Sequence, residues 1–301
     1  MMEMAEARTT AGIVGLGLIG GSLGLALQRA GGWRVAGFDV RPEVSRSAVA
    51  IGACAVRAES LEEIARSSDL IVVAVPSSLI PEVALELALN MRPGAVLTDV
   101  GSVKLPLVRQ ISAGLPPGVQ YVAGHPMAGS EKSGLGAASA DLFEGAVWVL
   151  ASENAGHEAV SLVESMVRAA GARPLLADPL DHDRAVAFAS HLPYIVSLCL
   201  ALASRDEAQS LSLVQKLQAS GFRDTTRVAR SEPSIAMDYC TMNRDVLVRA
   251  VDAFEHKLEV IKAALQRGEQ RLLFDLAIQA KEYLASPVQA PEPAEPRSRS
   301  G

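Results

Sequence analysis

The 301-residue chain is 49% apolar and 21% charged, ordinary for a soluble protein and enough for two packed domains, which excludes a disordered or fibrous chain. Its formal net charge of −6 argues against an electrostatic nucleic-acid binder, although a local basic patch can still hold a small anion. Cys54, Cys199 and Cys240 are odd in number and lack a CxxC pair, the start has no signal-peptide pattern, and no uninterrupted apolar run approaches the roughly 20 residues of a membrane span; a reducing cytoplasm fits, with no membrane partner.

Residues 1–10 offer little to bury and read as a mobile tail. From 11 to 177 short apolar runs (GIVGLG, RVAGFDV, DLIVVAVP, AVLTDV, VQYVAG, AVWVLA and RPLLA) alternate with longer stretches that carry Ala, Leu, Glu and Arg at helical spacing. That alternation predicts an α/β domain, a doubly wound and mostly parallel sheet with helices on both faces. From 178 to 286 the strand-like runs stop and a three-and-four residue apolar period predicts an all-helical domain, with breaks near Gly221, Pro233 and Gly268. Residues 287–301, rich in Pro and polar residues, read as a second mobile tail.

The first run leads into GLGLIGGSL, which sets Gly15, Gly17 and Gly20 in a GxGxxG spacing, with Leu18 and Ile19 opening the helix. The first glycine permits a tight turn, the second lets the backbone approach a pyrophosphate, and the third lets helix pack on strand. Asp39 ends the second run about twenty residues on, where a carboxylate meets the ribose hydroxyls. Its charge favours NAD over NADP, while Arg41 leaves room for NADP. Val75 and Pro76 end the third run and join the expected cofactor-binding set, as does Ser102.

Chemistry in such a sheet occurs past the carboxyl ends of the strands. LTDVGSVK places Ser102 and Lys104 after one run, and VAGHPMAGSEKSG places His125, Ser130 and Glu131 after the next. His125, between a glycine and a proline, reads as a loop residue, either a base for a substrate hydroxyl or a histidine bonded to backbone. Ser102 reads as an orienting hydroxyl or a helix N-cap, and Lys104 as a solvated helix residue.

DPLDHD reads as a helix start rather than a metal cluster, with Asp178 as N-cap, Pro179 in the first turn and Asp181, His182 and Asp183 following; no metal site is expected. In HLPYIVSLCLALA, Pro193 lies inside an apolar helical pattern, predicting a kink that turns His191 and Tyr194 toward a cleft. SGFRDTTRVARSEP spaces Arg223, Arg227 and Arg230 at i, i+4 and i+7, one face if the segment is helical: an anion site, or an exposed face balanced by Asp224 and Glu232.

In order, GLGLIGGSL, TDVGSVK, GHPMAGSEKSG, DLFEGAVW, HDRAVAFASHLP and GFRDTTRVA resemble the prephenate and arogenate dehydrogenases of tyrosine biosynthesis, over about residues 11 to 284. The resemblance implies a nucleotide-binding first domain, a helical second domain that forms a homodimer, and a site in which His125 is the base on the substrate C4 hydroxyl. Ser102 would orient that hydroxyl, and Arg227 would bind a substrate carboxylate with Arg223, Ser130, Glu131, His191 and Tyr194 nearby. The expected function is NAD-dependent oxidative decarboxylation of prephenate, with arogenate as the alternative substrate. Tyr194 stands where many prephenate-specific members have histidine, Ala236 where many have tryptophan, and GFRDTTR is similar to arogenate-using members.

Two other readings stay open at this level. A β-hydroxyacid dehydrogenase would call on a helical lysine, for which Lys216 is the candidate, but gives GHPMAGSEKSG no role. A non-catalytic NAD(H)-sensing regulator would need no set of Ser102, His125 and Arg227.

Overall fold

In a computed structural model that describes residues 9–130, 132–152 and 155–286, each of the seven apolar runs forms a strand. The strands are β1 (Thr9–Val14), β2 (Trp33–Phe38), β3 (Val56–Arg57), β4 (Leu70–Val73), β5 (Val96–Asp99), β6 (Gln120–Pro126), β7 (Val147–Ala151) and β8 (Arg173–Leu176). β1 opens at Thr9, so the two threonines given to the tail belong to the sheet; the rest of that tail and the whole of the second lie outside the described residues. β3 has only two residues, too few to leave a periodic signature.

Between the strands lie α1 (Leu18–Ala30), α2 (Pro42–Ala50), α3 (Leu61–Ser67), α4 (Ile80–Ala88), α5 (Leu105–Gly114) and α6 (His157–Ala169). After β8 come α7 (Pro179–Val186), α8 (Leu192–Ala208), α9 (Leu213–Lys216), α10 (Ser220–Thr226), α11 (Pro233–Met242), α12 (Arg244–Arg267) and α13 (Gln270–Ala285).

The sheet runs in the order β3-β2-β1-β4-β5-β6-β7-β8, parallel at every pairing except β6 with β7. Side chains alternate across it, so β4 sends Leu70 and Val72 to one face and Ile71 and Val73 to the other. The first face is closed by α1 and α6 (Leu23, Leu27, Val163, Met166) and the second by α3, α4 and α5 (Ile64, Ala84, Leu87, Leu107, Ile111). Apolar runs that are not interrupted by polar residues are what a sheet covered on both faces requires.

Two compact units divide the chain, one ending at Leu247 and the other beginning at Val248 within α12. The first therefore holds α7 to α11 together with the sheet. In the second, Gly268 turns the chain between α12 and α13 at φ +67°, and Phe254, Leu258, Ile261, Leu265 and Phe274 are exposed.

At Pro193 the chain does more than kink. A π-helical turn, Ala187–His191, fills the gap between α7 and α8, and Pro193 falls in the first turn of α8, where its missing N–H leaves no bond unmade. The continuous helical stretch Pro179–Ala208 is, by length and composition alone, long and apolar enough to cross a bilayer, although charged residues interrupt its apolar run. Three of its polar residues, His182, Asp183 and His191, are nonetheless buried in the first unit.

Candidate active site

Each glycine of the first loop occupies a position that its spacing implies. Gly15 adopts φ +91°, and a Cβ there would sit 2.6 Å from the Ala74 carbonyl oxygen, across the gap between β1 and β4. The strand order reverses at this gap, which opens a crevice at the carboxyl edge. A Cβ on Gly20 would lie 1.9 Å from the Gly15 carbonyl oxygen, so only hydrogen lets α1 pack so close. Around Gly17 nothing lies within 4 Å of such an atom, leaving the backbone open to a ligand. α1 has no side-chain cap and no acidic residue in its first turn, so the N–H groups of Leu18 and Ile19 remain for a phosphate.

Asp39, buried at the end of β2, ties this loop down. Its Oδ2 accepts the Leu16 N–H at 3.0 Å, and Oδ1 accepts the Arg41 N–H at 3.0 Å with the exposed Arg41 Nε at 3.5 Å. Val75 and Pro76 follow β4 at the same edge. Loop, helix terminus and carboxylate together suit a dinucleotide.

His125 is not on a loop, as its Gly and Pro neighbours suggested, but within β6. The β5 ladder ends at Val122, and Ala123 to Pro126 are held by the antiparallel β7, with His125 opposite Val149. Pro126 has no N–H to continue the ladder and closes the strand. The imidazole thus stands past the parallel ladder on the same edge as the glycine loop. Gly124 before it is forced, since a Cβ would meet the Asp99 carbonyl oxygen at 2.5 Å.

His125 Nδ1 lies 2.8 Å from His182 Nε2, and His182 Nδ1 lies 2.8 Å from Asp183 Oδ1. Asp183 also accepts the Lys104 N–H at 2.7 Å on Oδ1 and the Leu105 N–H at 2.9 Å on Oδ2, so it caps α5 from 79 residues away. That cap displaces Ser102 from the N-cap role, which falls at Lys104. Burial first, with the Lys104 charge adding to it, pushes His125 well below the usual histidine value, so the ring is neutral at pH 7.

Lys104, expected in solvent, is wholly buried: Nζ pairs with the equally buried Asp99 Oδ1 at 2.6 Å and donates to the Gly124 carbonyl. Asp99 accepts as well from the Gly101 N–H at 2.6 Å, the Gly124 N–H at 3.2 Å and the Tyr121 hydroxyl. These partners come from β6 and from the turn after β5, and helix periodicity carries no trace of them. The backbone on both sides of the His125 imidazole is fixed by this cluster and by β7.

His191 is buried against Tyr239 of α11, their rings stacked at 4.2 Å, and Tyr194 meets the same ring edge-on. Asn243 Nδ2 lies 3.3 Å from His191 Nδ1 and donates to the Asp183 carbonyl at 2.9 Å, joining His191 to the same cluster. Burial lowers His191 to about 4, with Asp183 opposing the shift. Ser102, half-buried, donates its N–H to Ser77 Oγ at 3.4 Å. Ser130 is exposed and accepts the Lys132 N–H, and Glu131 lies outside the described residues.

The arginines do not share one continuous α-helix. α10 stops at Thr226, and Arg227 to Arg230 form a 3₁₀ turn pinned to α8 by the Ala229 N–H on Ser197 Oγ at 3.1 Å. Arg223 and Arg227 are exposed, and Arg230 helps line a cavity of about 390 Å³ with Arg205, Gln215, Gln218 and Phe222. Lys216 ends α9 exposed to solvent.

Asp178 does cap α7, accepting the Leu180 and Asp181 N–H groups, with Pro179 in the first turn. Treating the whole of DPLDHD as a helix start, however, missed His182 and Asp183. The available signal was their position beside the apolar Val186 and Ala187, which turns a polar pair toward the core.

A parallel sheet with a glycine loop at its switch point and a neutral histidine on the same edge define a dinucleotide-dependent dehydrogenase with a helical second half. Residues 23–176 match the prephenate dehydrogenase nucleotide-binding domain and residues 178–277 the prephenate dehydrogenase dimerization domain. The chain belongs to the prephenate dehydrogenase family. The prephenate dehydrogenase of Bacillus subtilis is 31% identical over 283 residues, 93% of this chain and 76% of that protein. Among solved structures, the prephenate dehydrogenase from Aquifex aeolicus in complex with hydroxyphenyl propionate and NAD+ has a TM-score of 0.83 at 28% identity, covering 93% of this chain and 98% of that one. Synechocystis arogenate dehydrogenase has a TM-score of 0.78 at 30% identity, covering 91% and 100%.

Proposed function

We propose that the protein is an NAD-dependent prephenate dehydrogenase that converts prephenate to 4-hydroxyphenylpyruvate and carbon dioxide in tyrosine biosynthesis. The observation that carries this reading is the His125 imidazole, held 2.8 Å from His182 on the sheet edge that also bears the glycine loop. When bound, NAD+ supplies the acceptor for the hydride that leaves C4 of the substrate. His125 accepts the C4 hydroxyl proton as the carbonyl forms. The ring carboxylate then departs as carbon dioxide, and aromatisation draws the reaction forward.

Gly17 and the start of α1 hold the pyrophosphate, and Asp39 takes the ribose hydroxyls, which favours NAD; the exposed Arg41 beside it is the feature that would admit NADP. Ser102 orients the substrate hydroxyl. Arg227, with no ion-pair partner among the described residues, binds a substrate carboxylate, with Arg223, Ser130, Glu131, His191 and Tyr194 around the ring. The protein works in the cytoplasm as a homodimer formed through its helical half, in keeping with three unpaired cysteines and the match to a dimerization domain.

Arogenate is the second reading. Tyr194 is buried against Tyr239, and Ala236, 1% exposed, stands where many prephenate-specific members carry tryptophan. The deciding experiment supplies purified protein with NAD+ or NADP+ and either prephenate or arogenate, following reduced nicotinamide. A higher kcat/KM with prephenate and NAD+ is expected; a preference for arogenate reverses the substrate assignment, and turnover of neither removes the function.

A further inference from the structure

Histidine tautomers follow from hydrogen-bond partners. Asp183 Oδ1 and Oδ2 already accept the Lys104 and Leu105 N–H groups, so the carboxylate serves as an acceptor, and the facing His182 Nδ1 must carry the proton. Donating from Nδ1 and facing another ring nitrogen at 2.8 Å, His182 presents a lone pair at Nε2. The ring nitrogen 2.8 Å from that lone pair, His125 Nδ1, must in turn donate. Its proton fixed there, His125 keeps its own lone pair at Nε2, which has no hydrogen-bond partner among the described residues.

We propose that His182 is a positioning residue for the reaction: backed by Asp183, it holds the His125 ring in the Nδ1–H form so that Nε2 faces the substrate as the proton acceptor. The inference rests on the reading of His125 as the base. On turnover the substrate O–H bond breaks, its proton goes to His125 Nε2, and its electron pair forms the C4 carbonyl as hydride departs to NAD+. The resulting imidazolium still donates from Nδ1 to His182 Nε2, and no second proton moves. His182 is 3% exposed, and its rings with His125 meet edge-on with centroids 5.1 Å apart, so packing holds the orientation that the hydrogen bonds select. Without His182, nothing described on this face would pin the proton to Nδ1. The ring would exchange tautomers or flip, and the fraction ready to accept a proton would fall.

The primary test is nitrogen-15 NMR of histidine-labelled full-length protein, with the His125 signals assigned by their loss in His125→Asn. The expected spectrum shows His125 protonated at Nδ1 and bare at Nε2; the opposite tautomer overturns the proposal whatever the substrate is. The second test compares His182→Phe, which fills the space without an acceptor, with His182→Gln, whose amide can accept from His125 and donate to Asp183. kcat is expected to fall roughly 10²–10⁴-fold in the Phe variant, the range for a misplaced or wrongly protonated base. KM and NAD affinity should hold, and the Gln variant should recover part of the loss. An unaltered kcat in His182→Phe overturns the proposal, as does equal loss in both variants. Should the unmodified protein turn over neither substrate, the functional reading fails while the tautomer spectrum still decides the role of His182.

Discussion

Replacing Lys104 with methionine keeps the length of the side chain and its apolar stem while deleting the ammonium that faces Asp99. Both side chains are 0% exposed, so the change strands a carboxylate where water cannot reach it. Asp99 retains three other donors, Gly101 N–H, Gly124 N–H and the Tyr121 hydroxyl, but no positive partner. Breaking a buried pair from one side costs about 3–5 kcal/mol, whereas losing an ordinary hydrogen bond costs only about 1 kcal/mol. For a unit of this size each kcal/mol shifts the unfolding midpoint by about 2–4 °C, so Tm should drop by roughly 6–20 °C.

Calorimetry or circular dichroism on Lys104→Met, on Asp99→Asn and on the double variant reads this directly. The double variant should lose less than the sum of the singles, because it leaves no uncompensated charge. Burial lowers the lysine pKa against the pull of Asp99, and a lysine that folds uncharged would give the smaller loss. A Tm within about 2 °C of the unmodified protein would refute the buried ion pair. Because the Lys104 charge also lowers His125, the acid limb of kcat/KM should move to higher pH in Lys104→Met.

His125→Asn should reduce kcat roughly 10²–10⁴-fold and leave the NAD dissociation constant within about twofold, whereas Arg227→Ala should raise KM for substrate; steady-state kinetics and a fluorescence titration separate the two. Gly20→Ala sets a methyl 1.9 Å from the Gly15 carbonyl oxygen and should both lower Tm and weaken NAD binding, while Gly17→Ala, with open space around it, should weaken NAD binding at an unaltered Tm. Unfolding free energy should fall on acidification from pH 6.5 to 4. The unfolded chain binds a proton at His191 near pH 6.5, the folded chain at about 4, so the contribution is complete above 6.5 and lost below it. The slope is about 1.4 kcal/mol per pH unit for each such proton, and urea titrations at stepped pH should show it shallower by about one proton in His191→Gln.

What the sequence made legible was local. Seven strands, the tight turn at Gly15, the close packing at Gly20 and the Asp178 cap depend largely on near neighbours, and each took the expected form. What it hid depends on distant partners. Gly-His-Pro is a turn signal, yet His125 is extended because β7 reaches back to pair with it. Lys104 has the pattern of a surface lysine, and its burial follows from Asp99 and the Gly124 carbonyl. Asp183 looks like an acid in a helix's first turn, while its carboxylate caps a different helix altogether. Arg223, Arg227 and Arg230 kept their spacing but not their helix, since the change to 3₁₀ geometry at Arg227 alters the angle between them.

The overhang of β6 beyond its parallel neighbour separates aim from enclosure. Because a reversed strand grips the imidazole's backbone, the ring's aim is set within the sheet rather than by the residues that follow Met127. On the proposed function, chimeras that exchange those residues between relatives are expected to shift the ratio of kcat/KM for prephenate and arogenate while the base itself stays in place.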